Sequence, residues 1–229
     1  DYTQNNGIGS EIGSESREIG GLSLLWKQQL TEKWNYEMSG RKEISDAYES
    51  PVLFSVGSRY NFFDWYQLKL NFSRNYRVPT FNDLYCVCSC NPDLKPENSY
   101  QGEIGNQFSY KKFRLTLTAY GMKISDMIRW LPNNTGNWSP LNTDKVSIYG
   151  AEALLGWHKK SRNHSFDFSG TYAYTVSLDD ATNKQLFYVP YHKLTSSISY
   201  SYKKFGSYVQ LLYTGEVFTT SDNNPKYIL

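Results

Sequence analysis

Cys86, Cys88 and Cys90 are the only cysteines of the chain and alternate within five residues. Thiolates are good metal ligands, but three without a histidine beside them fall short of the four ligands of a structural zinc site. A Cys86–Cys90 disulfide is geometrically open to the segment if it bends, and would leave one thiol over. An ordinary surface loop needs neither, and a surface loop is what we expect. Histidine is as scarce, at His158, His164 and His192. The first two flank a short turn and the third opens a strand after Pro190. A Ser–His–Asp nucleophile set would need His192 beside a serine on a neighbouring strand, with a carboxylate behind it. No nucleophile-elbow motif accompanies it. The expectation is therefore no catalytic residue, no metal and no cofactor.

The elements that would position these groups are strands. Phe166, Phe168, Gly170, Tyr172, Tyr174, Val176 and Leu178 fall on one side of a period-2 run. Asp167, Ser169, Thr171, Ala173, Thr175 and Ser177 fall on the other. Tyr66, Leu68, Leu70 and Phe72 alternate with Gln67, Lys69, Asn71 and Ser73. Further runs hold Tyr100, Ile104, Phe108 and Tyr110, and then Phe205, Val209, Leu211, Tyr213 and Val217. About ten such runs are predicted, many near or above the roughly ten residues that cross a bilayer at a tilt. Residues 1–15, rich in Gly, Ser and Asn, read as loop. Short polar turns near residues 31–33, 62–64, 111–112, 161–163 and 203–204 alternate with longer links at 45–50, 78–98, 131–144, 179–189 and 216–225. Short turns at one end and long loops at the other are the plan of an up-and-down membrane barrel. A soluble sandwich has shorter strands and Greek-key links.

Composition agrees with that plan. Aromatic residues make up 17% of the chain, with 20 Tyr and 6 Trp, the residues of membrane-interface girdles. Mean hydropathy is −0.60 and no apolar run approaches the roughly 20 residues of a transmembrane helix. A net charge of +2 with mixed signs gives no basic face for nucleic acid. On a barrel wall, Glu103 and Glu152 should face the lumen, because a carboxylate in mid-membrane lipid costs a few kcal/mol. Arg74 shares parity with the apolar face, and its place near a long link suits a stem that snorkels at the interface.

One link carries a denser pattern, Asn75-Tyr-Arg-Val-Pro-Thr-Phe-Asn-Asp-Leu-Tyr85, then the cysteines, then Asn91-Pro-Asp-Leu-Lys-Pro-Glu97. Val78 before Pro79 is biased to extended backbone. Thr80 can cap a helical turn over 81–85, and Asn91-Pro92-Asp93 is a turn signal, with Pro96 stiffening the re-entry. This stretch resembles the Arg-Ala-Pro-Thr-Phe-Asn-Asp-Leu-Tyr and Asn-Pro-Asp-Leu-Lys-Pro-Glu motifs of TonB-dependent outer-membrane receptors of the cobalamin and siderophore type. Its matching positions are Pro79, Phe81, Leu84, Asn91, Pro92, Leu94, Pro96 and Glu97. Met122-Lys-Ile-Ser-Asp-Met-Ile128, Asn142-Thr-Asp-Lys-Val-Ser-Ile-Tyr-Gly150-Ala-Glu152 and Val189-Pro-Tyr-His-Lys193 resemble later strands of the family, in the family's order.

The resemblance implies an all-β, antiparallel, up-and-down transmembrane β-barrel, of which residues 1–229 are a partial set of strands. A complete receptor barrel has about 22 strands. The amino-terminal plug, the segment that binds TonB and the final strands have no counterpart in this sequence. The implied function is capture and import of a scarce ligand, a ferric siderophore or cobalamin, across the outer membrane of a Gram-negative cell, energised by TonB through the plug. The implied partners are that ligand, TonB and outer-membrane lipid. Ligand-binding candidates are loop residues Arg77, Asn82, Asp83, Tyr85, Trp130 and Trp138, and Glu103 and Glu152 are candidates to face the plug. Two other classes stay open at this point, a small outer-membrane barrel hydrolase and a soluble β-structured binding module.

Overall fold

The computed structural model describes residues 1–9, 13–86, 89–132 and 136–225. Its strands are β1 (Tyr2–Gly9), β2 (Gly13–Gln29), β3 (Trp34–Ser45), β4 (Leu53–Phe63), β5 (Tyr66–Arg77), β6 (Glu97–Tyr110), β7 (Phe113–Pro132), β8 (Trp138–Ser161), β9 (His164–Asp179), β10 (Lys184–Gln185), β11 (His192–Tyr202) and β12 (Phe205–Thr214). One helical turn, α1 (Phe81–Tyr85), interrupts them between β5 and β6. Neighbours in sequence are neighbours in space. The sheet runs β1 to β9 in order and then β11 and β12, with the two-residue β10 pairing β9. The pairs are antiparallel, and β1 and β12 form open edges.

Two sequence expectations are corrected here. Residues 2–9 and 13–15 are strand and not loop, because β1 and the start of β2 pair from Tyr2↔Gly20 to Gly9↔Gly13. Small polar residues with low strand propensity still complete a ladder when a neighbour's backbone is offered. The 131–144 link is likewise mostly strand, with β7 and β8 paired as far as Pro132↔Trp138. Its Pro and Asn content mimics a loop, yet the pair simply extends far past the rest of the sheet. With β1 and the two-residue β10 inside the 179–189 link, the count rises from about ten to twelve strands among the described residues.

The pleat sorts the side chains as the alternation requires. Tyr110, Phe113, Trp157, Phe168, Ile198 and Val209 are successive register partners across six strands. One residue along, on the opposite face, Ser109, Arg114, Gly156, Ser169, Ser197 and Gln210 form the matching polar row. Ser169 and Ser197 hydroxyls are hydrogen-bonded at 2.8 Å. The apolar face is uncovered: Phe113, Ile198 and Val209 are each more than half exposed. Near the short turns it carries an aromatic band in which Phe62, Tyr66 and Phe108 stack, as do Phe113 and Trp157, and Phe166 packs on Tyr200. A small buried core, Ile124, Val146 and Leu186, lies only toward the long loops. Arg74 lies flat over Tyr100, 5.3 Å from the ring centroid, and donates to Asn98 Oδ1, at the loop end of the apolar face.

The short connections are tight. Lys111, Arg162 and Lys203 each take the first position of a two-residue turn with φ of 53°, 53° and 52°. On the polar face Tyr120 lies across Gly150 of the next strand, and its hydroxyl meets Thr175 Oγ1 at 2.7 Å on the strand beyond. A methyl group at Gly150 would stand 2.7 Å from the Tyr120 oxygen and closer still to the Tyr174 carbonyl. Gly150→Ala should therefore destabilise the sheet by about 1–3 kcal/mol through overpacking. Tyr120→Phe, which loses only the hydroxyl bond, should cost about 1 kcal/mol. Urea unfolding in detergent micelles, followed by tryptophan fluorescence, measures both.

Candidate functional site

The loop between β5 and β6 is fastened at its base by Arg77 and Glu97, the last register pair of those strands. Arg77 Nη2 donates to Glu97 Oε1 at 2.8 Å. The same carboxylate oxygen accepts the backbone N–H of Ile128 at 2.6 Å. The β6–β7 ladder stops at Asn98↔Ser125, and Asp126 turns left-handed with φ of 56°. Glu97 thus supplies by side chain the acceptor that the ladder no longer offers. Asn142 on β8 does the same for the descending arm. Its amide accepts from Lys95 N and donates to Lys95 O, both at 2.9 Å, and also donates to Asp126 O at 2.7 Å. Leu94 and Pro140 are buried beside this clamp.

The ascending arm carries α1. Thr80 caps it in a reciprocal box with Asp83: Thr80 Oγ1 accepts from Asp83 N, and Thr80 N donates to Asp83 Oδ2 at 2.9 Å. Trp130 Nε1 donates to the other Asp83 oxygen at 2.9 Å, which ties the turn to β7. Burial by itself would push the Asp83 carboxyl up. The hydrogen bonds from Thr80 and Trp130, with the charge of Arg77, outweigh it and hold the group below the usual carboxylate range. Asn91 accepts from Asp93 N and donates its own N–H to Asp83 O, giving the predicted turn. From β2, the buried Arg17 donates to Pro79 O at 3.0 Å and stacks over Phe81 and Tyr48 at 5.0 and 5.4 Å.

The plain-loop expectation for the cysteines is corrected, since Cys86 and Cys90 are joined in a disulfide. Their Cα atoms lie 5.3 Å apart, between the end of α1 and the turn at Asn91. Cys88 lies outside the described residues.

Among the ligand candidates, Arg77, Asp83 and Trp130 are brought together and spend their polar groups on holding the loop. Asn82 and Tyr85 lie on the exposed side of α1, and Trp138 is exposed against Phe187 from the 180–191 link. That link is anchored too. Gln185 accepts from Ser177 N, and Arg129 Nη1 meets Asp179 Oδ2 at 2.9 Å with its guanidinium over Phe187. Glu103 and Glu152 lie on the polar face of β6 and β8 and are not neighbours, because β7 runs between them. The histidines do not form a nucleophile set: His164 and His192 meet the hydroxyls of Tyr200 and Tyr172, and His158 meets Asp167. Arg17 and the Arg129–Asp179 pair were not legible from sequence, since 62 and 50 residues separate the partners and no local pattern marks them.

Asp83 gives the loop a pH dependence. Its folded-state pKa is lowered, so its contribution is complete above the unfolded value of about 3.9 and is lost as pH falls through the folded value. Hydrogen-exchange protection over residues 81–85 should be level from neutral pH to about 5 and collapse below about 4. Asp83→Asn should cost about 1 kcal/mol at neutral pH and flatten that profile.

The sequence matches the family described as TonB dependent receptor-like, beta-barrel, over residues 1–229. It is 27% identical over 222 residues to the vitamin B12 transporter BtuB of Photobacterium profundum, covering 95% of this chain and 36% of that one. Over 118 residues it is 36% identical to a BtuB of Vibrio vulnificus, 51% of this chain and 19% of that one. The chain therefore spans about a third or less of the length of these relatives. In fold it is similar to a mutant of the ferric enterobactin receptor PfeA of Pseudomonas aeruginosa solved with enterobactin, with a TM-score of 0.75 and 17% identity over 90% of this chain and 34% of that one. The siderophore receptor PirA of Acinetobacter baumannii gives a TM-score of 0.72 and 19% identity, over 91% of this chain and 35% of that one.

Proposed function

Because the chain belongs to the TonB-dependent receptor-like β-barrel family, we propose that it is a stretch of barrel wall in an outer-membrane receptor that captures and imports a scarce chelate of the cobalamin or ferric siderophore class. Members of this family are outer-membrane transporters and not enzymes, so the hydrolase alternative and the soluble binding module both fall. The observation that carries the proposal is the pairing of an uncovered apolar face with long anchored loops at one end of the sheet.

In this reading the apolar face meets lipid and the polar face lines the lumen, against a plug domain that other parts of the protein supply. Glu103, Glu152 and Tyr120 would face that plug. The β5–β6 loop, the far end of the β7–β8 hairpin and the 180–191 link would stand outside the cell. Asn82, Tyr85 and Trp138 are the exposed side chains best placed to touch ligand, two of them offering flat aromatic surface to a bulky chelate. No covalent step is needed. Differential contact by plug and loops holds the ligand, and TonB coupled to the plug releases it inward.

Two measurements test this. Cells carrying the full-length protein should accumulate labelled cyanocobalamin or a ferric siderophore only while TonB and proton-motive force are present. Accumulation without TonB, or none of either chelate class, would overturn the reading. In the purified protein, spin labels at Phe168 and Ser169 should report lipid and water respectively, and the reverse pattern would defeat the face assignment.

A further inference from the structure

The cations of the sheet are unevenly placed. At the short-turn end, the hairpins β6–β7, β8–β9 and β11–β12 hold Lys111, Lys112, Lys159, Lys160, Arg162, Lys203 and Lys204, all exposed. Among the described residues none of the seven takes part in an ion pair, and the nearest carboxylate in sequence, Asp167, is engaged by His158. The turns on the β2–β5 side instead carry Glu32, Lys33 and Asp64, with no excess of positive charge.

Three of these cations border the apolar face. Lys111 lies 5.1 Å from the centroid of Tyr110 and Lys203 lies 5.3 Å from that of Tyr202. Both rings belong to the apolar face by register. Lys159 pairs directly with Phe166 on that same face. An ammonium beside an aromatic band is what an interfacial anchor looks like, with its stem along apolar surface and its charge toward headgroups. The common turn geometry at Lys111, Arg162 and Lys203 presents the three hairpins alike. They recur every second strand, at a spacing of roughly 10 Å.

We infer that this edge is a binding surface for the phosphates of anionic phospholipid in the leaflet at the short-turn end. The inference rests on the proposed barrel reading, in which the apolar face meets lipid. The occupant is lipid and not a free anion, because Lys111 and Lys203 sit against rings that the acyl chains would cover, and Lys159 is the register partner of another. Phosphate alone would gain nothing from that arrangement. Each cation at an anionic bilayer surface is worth about 1 kcal/mol, or roughly five-fold in affinity.

The test uses the full-length barrel reconstituted in bilayers, with tryptophan quenching by brominated phosphatidylglycerol compared with brominated phosphatidylcholine. The native protein should prefer the anionic lipid at least about five-fold at low salt, less so as salt screens the charges. The triple variant K111N/K159Q/K203N should lose the preference. Asn tolerates the left-handed backbone at 111 and 203, so the turns are kept. The Arg triple K111R/K159R/K203R should retain the preference. Insertion with equal quenching by both lipids, or a preference that survives the neutral triple, overturns the inference and leaves the barrel reading intact. Failure to insert into either bilayer overturns both.

Discussion

The inter-strand hydrogen-bond ladder is the constraint on which everything else in this molecule rests. A hydrocarbon environment offers no partner for a backbone N–H or C=O, so a spanning chain must satisfy them internally. Sequential antiparallel pairing does this with local connections for the strands that lie between the open edges of β1 and β12. Once pairing is fixed, the pleat decides each side chain's face without further choice. A strand can then be strongly apolar on one side and serine-rich on the other, as β9 and β11 are, with low overall hydropathy. The absence of a conventional buried core along most of the described sheet follows from the same cause. In the proposed barrel wall, that uncovered face meets a solvent that is itself apolar.

Beyond the reach of the ladder, side chains take over its role. Glu97 accepts a backbone N–H in place of a carbonyl, and the Asn142 amide pairs with both polar groups of Lys95 as a neighbouring strand would. Asp83 gathers a cap, a tryptophan and a backbone donor at one carboxylate. A long irregular loop is thereby tied down along both arms, which is the condition a recognition surface on its outward residues would need. Firm loops cost little ordering entropy when a ligand arrives.

Much of this was legible in the sequence, for reasons that can be stated. Period-2 alternation in 166–178 and 66–73 marked out faces that the register reproduces, and Thr80 with Asp83 formed the expected cap. What misled was composition used as a proxy for conformation. The Gly, Ser and Asn of β1 and the Pro and Asn of the β7–β8 hairpin say loop, yet ladder formation depends on a neighbour and not on propensity. The Cys86–Cys90 link needed the loop's actual bend. Asn142 was visible as part of a strand motif, but its use as a clamp depends on Lys95, 47 residues away. In the sequence the short turns read only as polar, and the alignment of their lysines on one side of the sheet is visible only with the pairing order.

The bond from Arg17 to the Pro79 carbonyl has a kinetic meaning. Neighbouring hairpins can register one at a time, each closing a short loop, but this contact spans 62 residues and four strands. It can form only after β2, β3, β4 and β5 have each found the right partner. A slip of one residue in any of them would move Arg17 to the opposite face or off the end of its row. The apex loop therefore settles late, and it settles only on a correctly ordered wall. Its order reports on the pairing beneath it, and a wall with one misregistered strand would carry this loop unformed.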